Sequence, residues 1–277
     1  MSISYAVFTK PWKTQSLEEV AEIIGGMGFN AVEYPLRGGY QAERPKDIEN
    51  LCKVLGKSGI QVASMAAGID VAVEKGHGEP VGATEELYAA CGAAGVPVIR
   101  ICQGLDSKLG FWENIEKLKA KYAVAEKLGE KYGVCLGVQM HYDHGTSGSV
   151  TASYDSYILL KDFDPRYVAA VWDAGHSGLA GEPPERALDC LWDHLCMVNF
   201  KAAYWKRGNG PEATRANWGV HWTTGQNGMC PWDRAVAYLK QRGYEGTVCL
   251  PAEYSDEPAV EAYTRQDIAY IQALFAK

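Results

Sequence analysis

Side chains able to move protons follow several apolar, strand-like runs of this sequence. Gln139 and His141 end the run KYGVCLGVQMH, and Asp173 and His176, three residues apart, lie in VWDAGH. A carboxylate directly after an apolar strand is unfavourable to bury unless it is paired or serves a site. Carboxylate and imidazole groups are also the usual general acids and bases of enzymes. We therefore interpret these residues, together with Glu253 after a later apolar run, as candidates for acid–base or cation-binding chemistry.

Further polar and aromatic side chains follow the other strand-like runs and are candidates for substrate contact. They are Trp12, Glu33, Arg37, Arg100, Asn199 and Lys201. Two of them have an alternative interpretation. Glu33 could simply pair with Arg37 or Arg100. Lys201 could extend outward, because a lysine stem packs on apolar surface while its ammonium stays in water.

Four tryptophans lie in a glycine-containing segment of the second half. They are Trp205, Trp218, Trp222 and Trp232. Aromatic rings above a site stack well against the apolar C–H faces of a sugar ring, and Trp12 could join the same wall. The alternative is that these rings pack against the rim of the domain or against a neighbouring subunit of a homo-oligomer.

Short β-rich runs alternate with amphipathic helical stretches along the chain. Ser16 is predicted as the N-cap of the first helix, whose apolar stripe includes Leu17, Val20 and Ile24. The predicted strands cover residues 2–9, 31–36, 60–66, 96–102, 133–141, 167–173, 195–204 and 247–254. The predicted helices cover residues 16–28, 45–57, 83–94, 113–131, 152–161, 184–193, 231–242 and 258–276, and residues 205–230 are predicted to be irregular.

Eight strand–helix units in 277 residues predict an α/β fold, a single (β/α)8 TIM barrel domain over residues 1–277. Continuous apolar strands between helices indicate a parallel sheet that helices cover. An open doubly wound sheet is the alternative, but no G-x-G-x-x-G follows the first strand. Since TIM-barrel sites lie at the C-terminal ends of the strands, the polar strand ends are expected to converge.

Composition and charge argue against several classes of function. The chain has 27 Lys+Arg against 34 Asp+Glu, a net charge of −7, which disfavours binding to nucleic acid or an anionic membrane. No signal peptide and no run of about 18 apolar residues is evident. The eight cysteines are scattered without a C-x-x-C, which is typical of proteins from reducing compartments. We therefore expect a cytoplasmic protein.

Four local motifs lie in an order that matches one known superfamily. They are IIGGMGFNAVEY, KYGVCLGVQMH, VWDAGH and CPWDRAVAYLKQRGYEGTVCLPAEY. With them the sequence resembles the xylose isomerase-like barrels, which comprise sugar isomerases and epimerases and also endonuclease IV. The likeness extends over nearly the whole chain. It implies a barrel that takes a small sugar-like substrate.

The resemblance also implies a divalent cation held by Glu, Asp, His and Glu from strands five to eight. These positions fall here on Gln139, Asp173, Asn199 and Pro251, with Glu253 two residues later on the same face of the predicted strand. Amide oxygens bind hard cations such as Mg²⁺ but contribute less charge than a carboxylate. An alternative set of His141, His176, Asp173 and Glu253 would suit zinc or manganese. No organic cofactor is expected.

From the resemblance and the strand-end residues, we expect an enzyme that moves a proton next to the carbonyl of a monosaccharide or related compound. The catalytic candidates are Glu253, His141, His176 and Lys201, and the substrate-binding candidates are Glu33, Arg37, Arg100, Trp12 and Trp205. Gln139 cannot act as a base near neutral pH. A metal-free scheme would use Glu253 as the base, with His141 or Lys201 polarising the carbonyl. The lack of a glycine-rich phosphate loop favours an unphosphorylated substrate.

Two other functions are weighed against this one. A barrel that binds a carbohydrate or a protein partner without turnover would explain the departures at Gln139, Asn199 and Pro251. DNA repair, as in endonuclease IV, needs a histidine-rich three-zinc cluster. The net charge of −7 and the missing strand-seven histidine argue against it.

Overall fold

Eight parallel strands close into a barrel in the computed structural model, which describes residues 3–68, 82–142, 150 and 152–277. The barrel strands are β1 Ile3–Phe8, β2 Ala31–Pro35, β3 Gln61–Ala67, β4 Val98–Cys102, β5 Cys135–Gln139, β6 Val168–Asp173, β7 Leu195–Asn199 and β10 Gly246–Leu250. The first and last of them pair in parallel, from Ile3 with Gly246 to Val7 with Leu250, and this pairing closes the sheet. The predicted (β/α)8 fold is confirmed.

Helices surround the barrel and cover its outer face. They are α1 Leu17–Gly25, α2 Ile48–Gly56, α3 Glu85–Ala94, α4 Phe111–Tyr132, α5 Ser153–Leu160, α6 Ala174–Leu179, α7 Pro184–Leu191, α8 Trp232–Gln241 and α9 Val260–Ala276. Helix α1 begins as predicted, because the Ser16 hydroxyl accepts the Glu19 N–H and the Glu19 carboxylate accepts the Ser16 N–H. Within the described ranges, no helix is long and apolar enough to cross a membrane.

The barrel interior is packed with small and medium side chains. They include Ala6, Phe8, Ala31, Ala63, Ala66, Val171, Met197 and Cys249. Gly137 shows how tight this packing is, because a Cβ at that position would lie 2.8 Å from Val171 Cγ2 and 2.9 Å from Val98 Cγ1. The filled interior leaves the C-terminal rim of the strands as the place where polar groups can gather.

The segment predicted as one strand over residues 195–204 is two strands with different partners. Strand β7 ends at Asn199, and the Phe200 N–H makes a last bond to the Cys249 carbonyl. The chain then leaves the barrel as β8 Ala202–Arg207, which pairs antiparallel with β9 Trp218–Thr223. The sequence predicted a single strand here because the apolar run continues into β8, where Ala202 and Ala203 are also buried. The expectation of irregular structure over residues 205–230 is therefore wrong for β9.

The last barrel strand ends earlier than predicted. Strand β10 stops at Leu250, and Pro251, which has no N–H, cannot continue the strand ladder. Ala252 follows with a φ of 51°, and it is the only non-glycine residue with a positive φ in the described part of the chain. Glu253 therefore does not lie on a strand face, as the sequence predicted, but on a turn that redirects it. Helix α6, directly after β6, is a further element that the sequence pattern did not predict.

Candidate active site

An ion pair from β2 and β4 lies in the buried floor of the barrel mouth. Arg100 donates from Nη2 to Glu33 Oε1 at 2.5 Å and from Nε to the same oxygen at 3.1 Å. Ser64 donates to the other oxygen of Glu33 at 2.9 Å. Burial alone would lower the pKa of Arg100, but the neighbouring Glu33 charge outweighs it and raises that pKa. Glu33 is thus committed to Arg100, one of the two partners that the sequence left open.

Asp173 ends β6 and caps the short helix α6. Its Oδ1 accepts the N–H groups of Gly175 at 2.9 Å and His176 at 3.2 Å, and its Oδ2 accepts Gln139 Nε2 at 2.7 Å. Burial raises the pKa of Asp173 to about 6, against the opposing effect of the Lys201 charge and these hydrogen bonds. The carboxylate is therefore held inside the protein by its own donors.

His176 is a buried imidazole whose hydrogen bonding fixes its tautomer. Its Nδ1 accepts the backbone N–H of Tyr142 at 2.9 Å, so the proton of the neutral ring resides on Nε2. The ring lies against His141, with the centroids 4.1 Å apart. Burial, reinforced by the charges of His141 and Lys201, holds the pKa of His176 well below its usual value. His176 is therefore a neutral donor, and its Nε2 has no hydrogen-bond partner in the described part of the chain.

Two ammonium groups share one carboxylate at the centre of the mouth. Lys201 Nζ lies 2.5 Å from Glu253 Oε2, and Lys10 Nζ lies 2.8 Å from Oε1. Burial acts to raise the pKa of Glu253, but the two ammonium groups together lower it well below its ordinary value. The Lys201 side chain is only 7% exposed, and its Nζ lies 3.8 Å from the centre of the Trp222 ring. Lys201 thus points into the mouth and not outward.

A cavity of about 930 Å³ opens above this cluster, a volume that suits a small ligand. Its described wall includes Lys10, Trp12, Lys13, Tyr40, His141, Lys201, Trp222, Glu253, Tyr254, Glu257 and Glu261. Four residues with a predicted catalytic or binding role therefore reach the cavity, namely Trp12, His141, Lys201 and Glu253, and so does Trp222 from the tryptophan-containing segment. The other predicted residues do not line its described wall. They are Glu33, Arg37, Arg100, Gln139, Asp173, His176, Asn199 and Trp205.

Trp205 has a different environment from the one predicted. Its Nε1 donates to the Leu179 carbonyl at 3.2 Å, and its ring packs edge-on against Tyr142 with centroids 5.1 Å apart. Trp222, from the paired strand β9, supplies the aromatic wall instead. Lys10, Tyr40 and Tyr254 also line the cavity, and no role was predicted for them from the sequence. Lys10 follows the first strand, so its position was a usable signal, but Tyr40 lies in a loop with no pattern to mark it.

The four residues predicted to hold a divalent cation do not form a fitting donor set. Gln139 turns its amide nitrogen to Asp173, and both oxygens of Glu253 face ammonium groups. Asn199 Oδ1 is the exception, since it is buried and has no hydrogen-bond partner among the residues that the structure describes. Across the described ranges, no group of three or more His, Cys, Asp or Glu side chains is placed to hold a metal ion. A cation at this position would have to displace donors that the protein already supplies.

Part of this chain is similar in sequence to a known protein. A stretch of 135 residues is 26% identical to an inosose dehydratase from Lacticaseibacillus casei, covering 46% of this chain and 44% of that protein. The matched stretch thus spans less than half the length of that relative.

Solved structures with the same fold include two epimerases. 3-Keto-D-glucoside 4-epimerase from E. coli superposes with a TM-score of 0.72 at 14% identity, over 98% of this chain and 100% of the other. L-ribulose 3-epimerase gives a TM-score of 0.72 at 14% identity, over 100% of this chain and 95% of the other. The family model described as a xylose isomerase-like TIM barrel matches residues 19–274. The chain therefore belongs to the xylose isomerase-like TIM barrel family.

Proposed function

We propose that this protein is an enzyme that removes a proton next to the carbonyl of a sugar or a polyol-derived ketone. The observation that carries the proposal is the convergence of Glu253, Lys201 and His141 on one cavity of about 930 Å³. A carboxylate, an ammonium and an imidazole in one concave site supply both a base and groups that stabilise negative charge. Trp12 and Trp222 in the same wall give apolar faces for a sugar ring.

Glu253 is the base of the proposed step. Its carboxylate takes the proton from the carbon beside the carbonyl, and the electron pair of that C–H bond forms the carbon–carbon double bond of an enediolate. The carbonyl oxygen gains the negative charge, which Lys201 or His141 stabilises by donating a hydrogen bond. The N–H groups of Gly175 and His176 donate to Asp173 and so fix the start of α6.

The relatives support the class of chemistry without fixing the reaction. Epimerisation, aldose–ketose isomerisation and the dehydration of a hydroxyketone can all begin with loss of a proton next to a carbonyl. Both epimerases and a dehydratase resemble this chain. The proposal therefore concerns the shared first step, and the fate of the enediolate distinguishes the three outcomes.

Deuterium wash-in tests the proposal. Sugars and polyol-derived ketones are incubated with the protein in D₂O, and mass spectrometry records deuterium at carbons adjacent to the carbonyl. We expect exchange with at least one compound and a loss of rate on the order of 10²- to 10⁴-fold in Glu253→Gln, since the amide cannot accept the proton. Glu85→Gln, which removes a surface carboxylate from α3, is the matched control and should retain exchange.

Two results would count against the proposal. Absence of exchange across the panel would contradict it, as would full exchange by the Glu253→Gln variant. Calorimetric binding of a sugar with no exchange would favour the alternative of a barrel that binds a carbohydrate without turnover.

A further inference from the structure

We propose that the ammonium of Lys201 occupies the place of a divalent cation at this site and supplies its positive charge. The predicted ligand set contains two carboxylates, Asp173 and Glu253. Each of the four oxygens already accepts a hydrogen bond from the protein itself. A bound cation would need those oxygens as ligands, but in this structure they are occupied by N–H donors of the protein.

The position of Lys201 explains how one side chain can take this place. The residue lies two positions after Asn199, where β7 ends and the chain turns out of the barrel towards β8. This turn directs a side chain that is 93% buried onto Glu253, and the Lys201 charge also acts on Asp173. A positive group this deeply buried requires negative partners, and Glu253 and the face of the Trp222 ring provide them.

A divalent cation beside this ammonium would place two positive centres in the same small volume. Their repulsion in a partly buried site opposes binding. Lys10 adds to this effect, because its ammonium holds the second oxygen of Glu253. The two lysines therefore neutralise the carboxylate that a cation would need most.

Lys201 also differs from a metal in how it can contact a substrate. An ammonium has three N–H donors. One is directed to Glu253 Oε2 and one faces the Trp222 ring, so within the described structure the third is available for an oxygen in the cavity. A metal can chelate a carbonyl and the neighbouring hydroxyl together, whereas this group binds a single oxygen. The site should therefore hold the substrate through the carbonyl oxygen alone and not chelate the hydroxyl on the adjacent carbon as well; this part of the inference rests on the proposed function.

The inference is tested without turnover by measuring Mn²⁺ binding with electron paramagnetic resonance. We expect the purified protein, freed of metal by EDTA, to bind no stoichiometric Mn²⁺ at 1 mM or below, on the order of the weakest specific affinities. Lys201→Met should bind Mn²⁺ at least about tenfold more tightly, since the substitution removes the ammonium that contacts Glu253 Oε2. Lys13→Met is the matched control: it removes a positive charge from the same wall without a contact to Glu253, and it should gain no affinity.

Three results would overturn the inference. The first is stoichiometric Mn²⁺ on the unaltered protein that Glu253→Gln or Asp173→Asn abolishes. The second is a folded Lys201→Met variant with no gain, and the third is an equal gain in Lys13→Met. Lys201→Gln provides the same comparison if the methionine variant does not fold, as judged by circular dichroism.

An exchange assay separates this inference from the proposed function. If the protein exchanges deuterium, EDTA treatment should leave the rate unchanged, and a loss that Mn²⁺ restores would contradict the role of Lys201. If no compound exchanges, the proposed function fails, while the Mn²⁺ measurements still decide whether Lys201 replaces the cation.

Discussion

As the proposed base, Glu253 is subject to two opposite requirements. A base must be ionised to accept a proton, and the ammonium groups of Lys10 and Lys201 ensure this by lowering the pKa of the carboxyl. The same contacts make the carboxylate a weaker base, because a low pKa reduces its tendency to hold the proton it takes. In the proposed step, negative charge on the substrate oxygen attracts the Lys201 ammonium, which weakens the contact of Lys201 with Glu253 and makes the carboxylate a stronger base.

Lys10→Met is predicted to raise the pKa of Glu253. Lys10 is the second charge that lowers this pKa, so its removal shifts the titration of the carboxyl to higher pH, although Lys201 still opposes a full return. Carbon-13 NMR of labelled glutamate can follow the titration, with the Glu253 signal assigned by its loss in Glu253→Gln. Lys13→Met should leave the titration in place, because the Lys13 ammonium lies over the Tyr40 ring. An unchanged titration in Lys10→Met would refute this account of the carboxylate.

Most elements of the barrel could be predicted from the sequence because they follow one local rule. A buried parallel strand is a short apolar run, and a covering helix has an apolar stripe at helical spacing. The local pattern does not predict a strand boundary where the pairing strand changes but the residues stay buried. This happens between β7, which pairs with β10, and β8, which pairs with β9. The local pattern also fails at Ala252, whose positive φ results from the surrounding packing and not from its own preference.

The site was predicted less well than the fold, because contacts across the barrel leave no local pattern. Lys201 and Glu253 are 52 residues apart, and nothing near either residue indicates the other. Two of the three tryptophans of the hairpin, Trp205 and Trp222, differ for a similar reason. Trp222 pairs with Ala203 beside the barrel, whereas Trp205 pairs with Val220, about 7 Å farther along the strand. Only Trp222 therefore reaches the cavity, and sequence spacing alone could not decide between them.

Ala252 is predicted to be sensitive to β-branched substitution. It is buried, and its left-handed backbone conformation lies between the end of β10 and Glu253. Ala252→Val should lower the free energy of unfolding by about 2 kcal/mol, because a β-branched residue is strongly disfavoured at positive φ. Ala252→Gly should change it by less than about 1 kcal/mol, since relief of strain is offset by the greater entropy of the unfolded chain. Urea unfolding measures both, and an Ala252→Val variant as stable as the unaltered protein would exclude strain at this turn.

At the scale of the whole molecule, a buried carboxyl joins the last helix to the mouth of the barrel. Asp267 on α9 accepts the Gly225 N–H and the Tyr254 hydroxyl, each at 2.9 Å. Tyr254 directly follows Glu253 and lines the cavity. The segment after β9 and the segment after β10 are thus both attached to α9 through one side chain. The hydrogen bonds of Asp267 therefore contribute both to the stability of the molecule and to the position of Tyr254 in the cavity wall.

Asp267→Asn is predicted to gain stability relative to the unaltered protein as the pH rises. Burial raises the pKa of Asp267 from 3.8 to about 6, although its two hydrogen bonds oppose the effect. A raised pKa means that the folded state binds the proton more tightly than the unfolded state. The resulting stabilisation is complete below pH 3.8 and is lost as the pH rises through 6, a loss of about 3 kcal/mol. Asparagine can accept the Gly225 N–H on its amide oxygen and donate from its amide nitrogen to the Tyr254 hydroxyl oxygen, and it has no proton to lose.

Urea unfolding of the variant and of the unaltered protein should therefore be compared between pH 4.5 and pH 7.5. As the pH rises, the free energy of unfolding of Asp267→Asn should increase relative to that of the unaltered protein. Asp173 has a raised pKa in the same window and His176 a lowered one, but both are present in each protein, so their contributions cancel in the difference. Asp162→Asn is the control, because contacts with Lys119 and Lys161 lower the pKa of that exposed carboxyl, which places it below this window. A difference that stays constant with pH for Asp267→Asn would mean that Asp267 titrates alike in the folded and unfolded chain, and burial would then not govern its ionisation.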